Sequence, residues 1–149
     1  MSNIISNKGG KMNESKAQEI RFDHILGGDN LKVSKESLES YRSYIQKNIV
    51  FPCELTGRED FDWEEIYIFG PGDENEYAEL KKTRPSYTDT YTFMSFDDQI
   101  EERDGLMVKV KRISDYKQFV LPLADLKVTD VSSPNHQLVH DYAAWFVNN

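Results

Sequence analysis

The sequence predicts an α+β fold: a small, mostly antiparallel sheet, bent or closed part-way into an SH3-like barrel, flanked by N- and C-terminal helices. Three observations carry this. Two segments, "SKESLESYRSYIQKNI" and "SPNHQLVHDYAAWFVNN", bear apolar residues at helical spacing. Between them, short runs of β-branched and aromatic residues recur, separated by Gly, Pro, Asp and Ser. "SDYK" joins two of them as a short hairpin connection, and the run reads as mostly antiparallel.

Residues 1–20 are rich in Asn, Ser, Lys and Gly and show no period, so they read as a flexible tail before a single domain over 21–149. "RFDHILGGDN" suggests a short helix ended by glycine. In the next helix Ser34 is the expected N-cap. Glu36 sits in the first turn, and Leu38, Tyr41, Ile45 and Ile49 form one stripe. Pro52 bars continuation. "IVFPCELTG" reads as a strand closed by Gly57. "WEEIYIFG" alternates and reads as a second strand, stopped at Gly70-Pro71-Gly72. "DENEYAELKK" suits a short helix capped by Asp73 and pinned by Tyr77 and Leu80. "SYTDTYTFMSF", "GLMVKVKRI", "KQFVLPL" and "LKVTDV" are further strands, with "SDYK" as a hairpin connection. The closing helix should turn Leu138, Val139, Tyr142 and Trp145 or Phe146 inward.

Charge narrows the function. The chain of 149 residues carries 26 Asp and Glu against 18 Lys and Arg, a net charge of -8. That opposes binding to a nucleic-acid backbone and suits a cation or a basic protein partner. A single cysteine, Cys53, permits no internal disulfide and points to a reducing, cytoplasmic setting. The N-terminal residues lack an apolar core of signal-peptide length, and no apolar run approaches membrane-spanning length, so no membrane association is expected.

The acid is concentrated. "GREDFDWEEIYIFGPGDENEY" holds eight carboxylates among aromatic residues, and "DDQIEERD" holds five more. Calcium takes about six to eight oxygen ligands, and crowded carboxylates repel unless water or a cation offsets them. A solvated surface is the competing account. No EF-hand is present: with Gly105 at the sixth loop position, Ile100 falls at the first and Lys111 at the twelfth. Any calcium site must therefore be assembled from separated segments. "HQLVH" places His136 and His140 at zinc-ligand spacing, but Gln137 stands where a zinc protease needs Glu, and no third ligand is evident. Cys53 lies in an apolar strand and reads as core. No nucleophile, base and oxyanion donor assemble by recognisable spacing, so no enzyme is expected.

Two segments together resemble the cyanobacterial calcium-binding protein family. "SYIQKNIVFPCELTG" is similar to its helix-to-strand signature at Tyr44, Asn48, Phe51-Pro52 and Glu54. "LPLADLKVTDVSSPNHQLVHDYAAWFVN" is similar to its closing signature at Pro122-Leu123, Asp125-Leu126, Ser133-Pro134-Asn135, Asp141-Tyr142 and Trp145-Phe146. Three features depart from the family pattern. Cys53 replaces its second Phe, His140 stands where an acid is expected, and the middle segment is longer. The resemblance implies a small acidic protein with an SH3-like barrel that binds calcium without EF-hands, as a buffer or low-affinity sensor, and without catalysis. It makes Glu54 the first candidate ligand, with Asp125 and Asp130 presented by the matched C-terminal strand. Local density adds Asp60, Asp62, Glu64 and Glu65. The other reading is a metal-independent interaction module, with Trp63, Tyr67 and Tyr87 anchoring a basic partner.

Overall fold

The computed structural model describes the backbone of residues 2–28 and 31–149, and the side chains of residues 14–28 and 31–149. Helix α1 spans Ser2–Leu26 and ends in Gly27 and Gly28, both at positive φ. The tail expected over residues 1–20 begins at Met1, outside the described residues, and otherwise lies within this helix. Leu26 joins the core with Phe22 and Ile25 packed against it, and the helix is also tied to Asp141 of the last helix. Arg21 Nε donates to Asp141 at 2.6 Å, and Gln18 Nε2 donates at 3.0 Å.

Helix α2, Lys35–Asn48, starts where the sequence places it. Ser34 accepts from the Ser37 N–H at 3.1 Å, and the Ser37 hydroxyl accepts from the Ser34 N–H at 2.9 Å. That reciprocal pair satisfies two donors a helix start leaves open. Leu38, Tyr41 and Ile45 are buried as one stripe. The closing helix α5, Pro134–Asn148, buries Val139, Tyr142 and Trp145 against them. Tyr41 packs on Trp145 and Tyr142 with ring centroids 5.1 and 5.2 Å apart, and the Trp145 indole N–H donates to the Leu31 carbonyl at 2.7 Å.

Beneath these helices lies one antiparallel sheet. Its strands are β1 (Glu54–Gly57), β2 (Thr90–Glu101), β3 (Gly105–Arg112), β4 (Gln118–Pro122) and β5 (Leu126–Val128), in the order β4-β3-β2-β1-β5. The α+β expectation holds. The sheet is open, with β4 and β5 as its edges, so it is not closed as a barrel. Two register shifts lie within β2, between Phe93 and Ser95 and between Phe96 and Ile100.

The segment between β1 and β2 departs most from expectation. Residues 63–68 are helical, not a strand: a 3-10 turn over Asp62–Glu64 leads into α3, Glu65–Ile68, capped at Phe69. The alternation of "WEEIYIF" also sets Trp63 and Tyr67 four apart, and packing selects that spacing. Tyr67 stacks on Tyr77 of helix α4 (Glu74–Leu80) at 5.1 Å, and Trp63 meets both rings edge-on. The Trp63 indole N–H donates to the Pro85 carbonyl at 2.7 Å. Asp73 caps α4 as predicted, accepting from the Glu76 N–H.

Two buried charged groups fasten this segment to the sheet. Glu64 is fully buried and accepts from the Tyr77 hydroxyl (2.6 Å), the Ser86 hydroxyl (2.7 Å), the Tyr87 N–H (2.8 Å) and the Phe61 N–H (3.4 Å). Arg112, at the end of β3, donates to Asp89, to both oxygens of Asp115, and to the carbonyls of Lys81, Lys82 and Arg84. Those carbonyls follow the last turn of α4, where orphan acceptors accumulate.

Arg112→Ala would remove the guanidinium from Asp89 and Asp115 and leave the Lys81, Lys82 and Arg84 carbonyls without it. The expected loss is about 3 to 5 kcal/mol in urea unfolding; a loss under about 1 kcal/mol would mean the network does not hold the segment. Glu64→Gln turns an amide nitrogen toward N–H and O–H donors and should cost about 1 to 3 kcal/mol by the same assay. The Arg112 hydrogen bonds, above all, lower the Asp115 pKa from 3.8 to about 2. A depressed carboxylate adds stability above its unfolded value and loses it as pH falls through its folded value. Unfolding free energy should therefore decline between about pH 4 and about pH 2, and Asp115→Asn should flatten that decline in acid titrations.

Candidate metal centre

Three chain segments meet at the end of the sheet where β1 leaves and β5 enters. The β1–β5 register sets Gly57 opposite Leu126, and the Arg58 N–H donates to the Asp125 carbonyl at 2.8 Å. The chain continuing through Glu59 to Asp62 thus runs beside the 3-10 turn Leu123–Asp125. From the other side, pairing of Met107 with Pro122 brings the start of β3 next to that turn. There Gly105, at φ +73, lies so close to helix α5 that a Cβ would strike the Tyr142 hydroxyl and the Phe146 ring. The Leu106 N–H donates to the Tyr142 hydroxyl at 2.8 Å, which fixes the tip of the β2–β3 hairpin and with it Asp104.

The result is a convergence of Glu59, Asp62, Asp104 and Asp125. Their mutual field is visible at Asp125, whose pKa is raised, first by partial burial and then by the charges of Asp62, Asp104 and Glu59. Its side chain still keeps an open, solvent-facing side. Beside Glu59 lies Arg58, half-buried, with Nη2 on the Leu126 carbonyl at 3.3 Å and a buried Nε that has no partner among the described residues. Burial lowers the Arg58 pKa, and Glu59 works against that shift. Within the described residues no hydrogen bond reaches the carboxylates of Glu59, Asp62, Asp104 or Asp125. Unpartnered, mutually repelling carboxylate oxygens are the donor set that hard cations take. They are spread out: among the described residues, no three acidic, histidine or cysteine side chains are gathered tightly enough to form one metal-holding group.

Of the residues the sequence singled out, Asp62 and Asp125 are brought together here. Glu54 and Asp130 meet elsewhere, lining an open cleft of about 360 Å³ with Thr92, Thr129, Ser133 and Asn135. Both are partly engaged: Glu54 accepts from the Thr129 hydroxyl at 2.7 Å, and Asp130 accepts from the Ser132 N–H and hydroxyl. The Ser132 bonds lower the Asp130 pKa. Glu64 lies in the interior with its oxygens taken by protein donors. Asp60 is half-buried, and Glu65 is exposed on α3. Asp104 and Glu59 were visible in the acidic runs but not selected. The signal was Gly105, the turn glycine that pins the hairpin tip.

The remaining motifs resolve simply. His136 and His140 stack in parallel, 6.2 Å apart, and Asp141 beside them is turned inward to Arg21. Cys53 is buried, and burial pushes its thiol up to about 11. No described helix is long and apolar enough to cross a membrane.

No protein-family model and no curated protein matches this chain. Two solved structures share its fold. The crystal structure of Anabaena CcbP matches with a TM-score of 0.56 over 87% of this chain and 89% of that one, at 17% identity. A calcium-binding protein in its calcium-binding form matches with a TM-score of 0.58 over 91% and 94%, at 13% identity. The chain thus shares its α+β fold with Anabaena CcbP, at low sequence identity.

Proposed function

We propose that this protein binds calcium at the surface patch formed by Glu59, Asp62, Asp104 and Asp125, as a buffer or low-affinity sensor. The observation that carries the reading is the approach of three carboxylates from two other segments, Glu59, Asp62 and Asp104, to Asp125, with no hydrogen bond to any of the four among the described residues; their charges help to raise the Asp125 pKa. The fold shared with a protein solved in its calcium-binding form supports it. Bound calcium would supply positive charge to offset the repulsion, with backbone carbonyls and water completing its oxygen shell. Because the carboxylates are spread out, binding must draw the segments together, and that ordering costs affinity.

The sign of the linkage follows. A carboxylate whose folded pKa is raised holds its proton more tightly in the folded chain, so the fold loses stability as pH rises through that value. At neutral pH the patch opposes folding, and calcium should reverse this. Protons should compete with calcium as pH falls toward the Asp125 value.

Calorimetric titration at about 0.15 M salt, with magnesium as control, should give saturable calcium binding. At a hundredfold excess over Kd the ion should add about 2.7 kcal/mol, raising Tm by roughly 5 to 10 °C. Asp125→Asn and Asp62→Asn should each weaken binding at least tenfold, while Asp125→Asn without calcium should raise Tm at pH 7. Calcium binding that survives both substitutions but is lost in Glu54→Gln or Asp130→Asn would move the site to the cleft. No saturable binding would overturn the reading.

A further inference from the structure

The most exposed apolar side chains in the acidic middle segment share one turn of helix. Phe69 is 76% exposed, Ile66 50% and Ile68 37%. The inner side of this turn is spent on Trp63, Glu64 and Tyr67, so these three, with Glu65, make up its outer side. Val131, Tyr116 and Val147 stand singly along the chain, and Val50 and Phe51, though adjacent, lie on no helical turn. Scattered ones need no explanation, but a cluster on one rigid turn does.

The turn is rigid. The Phe69 N–H donates to the Glu65 carbonyl at 2.9 Å, and the Gly72 N–H donates to the Ile66 carbonyl at 2.7 Å. Gly72 lies so close to Tyr67 and Ile66 that a side chain there would clash. That close return sets Asp73 and Glu74, both exposed, beside the apolar turn, and Glu65 lies within it. Tyr67 extends the arrangement by donating to Glu76 at 3.0 Å. The patch is therefore apolar at its centre and acidic at its rim.

We propose that this face docks a basic, amphipathic segment of another protein: apolar residues on Ile66, Ile68 and Phe69, Lys or Arg on Glu65, Asp73 and Glu74. Charge complementarity selects this occupant. A second copy would set like-charged rims against each other, and an anionic lipid surface would be repelled. The earlier candidate anchors Trp63 and Tyr67 do not serve, because they are half-buried against each other and Tyr77. The binding needs no calcium, so it stands independently of the metal patch.

The probe is a synthetic helical peptide with leucines at i, i+3, i+4 and i+7 and lysines elsewhere, labelled for fluorescence anisotropy, in EDTA. It should bind, weaken with added salt, and lose at least tenfold affinity to Phe69→Ser and Ile66→Ser. Both positions are exposed, so unchanged Tm in the variants separates lost docking from lost folding. Equal binding of a lysine peptide whose leucines are replaced by serine, or indifference to both substitutions, would overturn the proposal. So would concentration-dependent self-association abolished by Phe69→Ser, which would make a second copy the occupant.

Discussion

The Arg112 guanidinium is the interaction on which the middle of this fold depends. Its N–H groups serve two carboxylates and three carbonyls. From Asp89 the network runs on: Asp89 accepts from the Ser86 N–H, Tyr91 donates to the Ser86 carbonyl, and the Ser86 hydroxyl donates to Glu64. A buried guanidinium and a buried carboxylate are thus joined through Asp89 and Ser86 rather than to each other. Each would be costly to bury alone. Together they clamp the 58–89 segment onto the end of the sheet, adding to the buried ring of Phe61 where α3 itself buries no residue fully.

That clamp divides the acidic stretch into two kinds of charge. Glu64 is spent inside, with its lone pairs occupied. Once its position is fixed, Glu59 and Asp62 on one flank and Glu65 on the other must lie outside. The aromatic residues threaded between the acids follow the same division: Phe61 is buried, Trp63 and Tyr67 close on Tyr77, and Phe69 is left out in solvent. One stretch of sequence supplies a structural acid, half of a carboxylate patch and an exposed apolar turn, because a helical turn distributes consecutive residues around its axis.

This explains which parts were legible in the sequence. Helices α2 and α5 and strands β1, β3 and β4 were readable because their stripes, caps and alternations agree with one another. The strand expected at 63–69 failed because its alternation also contains the i, i+4 pair Trp63 and Tyr67, and only the distant Tyr77 and Pro85 decide between them. Among site residues, Asp62 and Asp125 were named but not paired, since nothing local connects them; the β1–β5 register does. Glu64 looked like its neighbours in sequence, and its donors come from 13 to 23 residues downstream or from its own turn, beyond any motif. Asp104 was hidden by the EF-hand comparison, which treats Gly105 as a loop glycine when its task is to let Tyr142 and Phe146 approach.

The patch around Asp125 gains its character from being built on rigid and loose parts at once. Asp125 is held by a turn wedged between β4 and β5, and Asp104 by a hairpin tip anchored on Tyr142. Glu59 and Asp62 sit in a connection whose nearest fixed points are the Arg58 N–H and buried Glu64. An ion at this junction would close a loop between strand exits that the hydrogen-bond ladder leaves unjoined. Its effect would be felt as added stability of β1 and β5 rather than as a change of fold. The same design limits affinity: repulsion favours a cation of any kind, while selectivity for a large, flexible oxygen shell over a small octahedral one rests on how far the 59–62 connection can move toward Asp125.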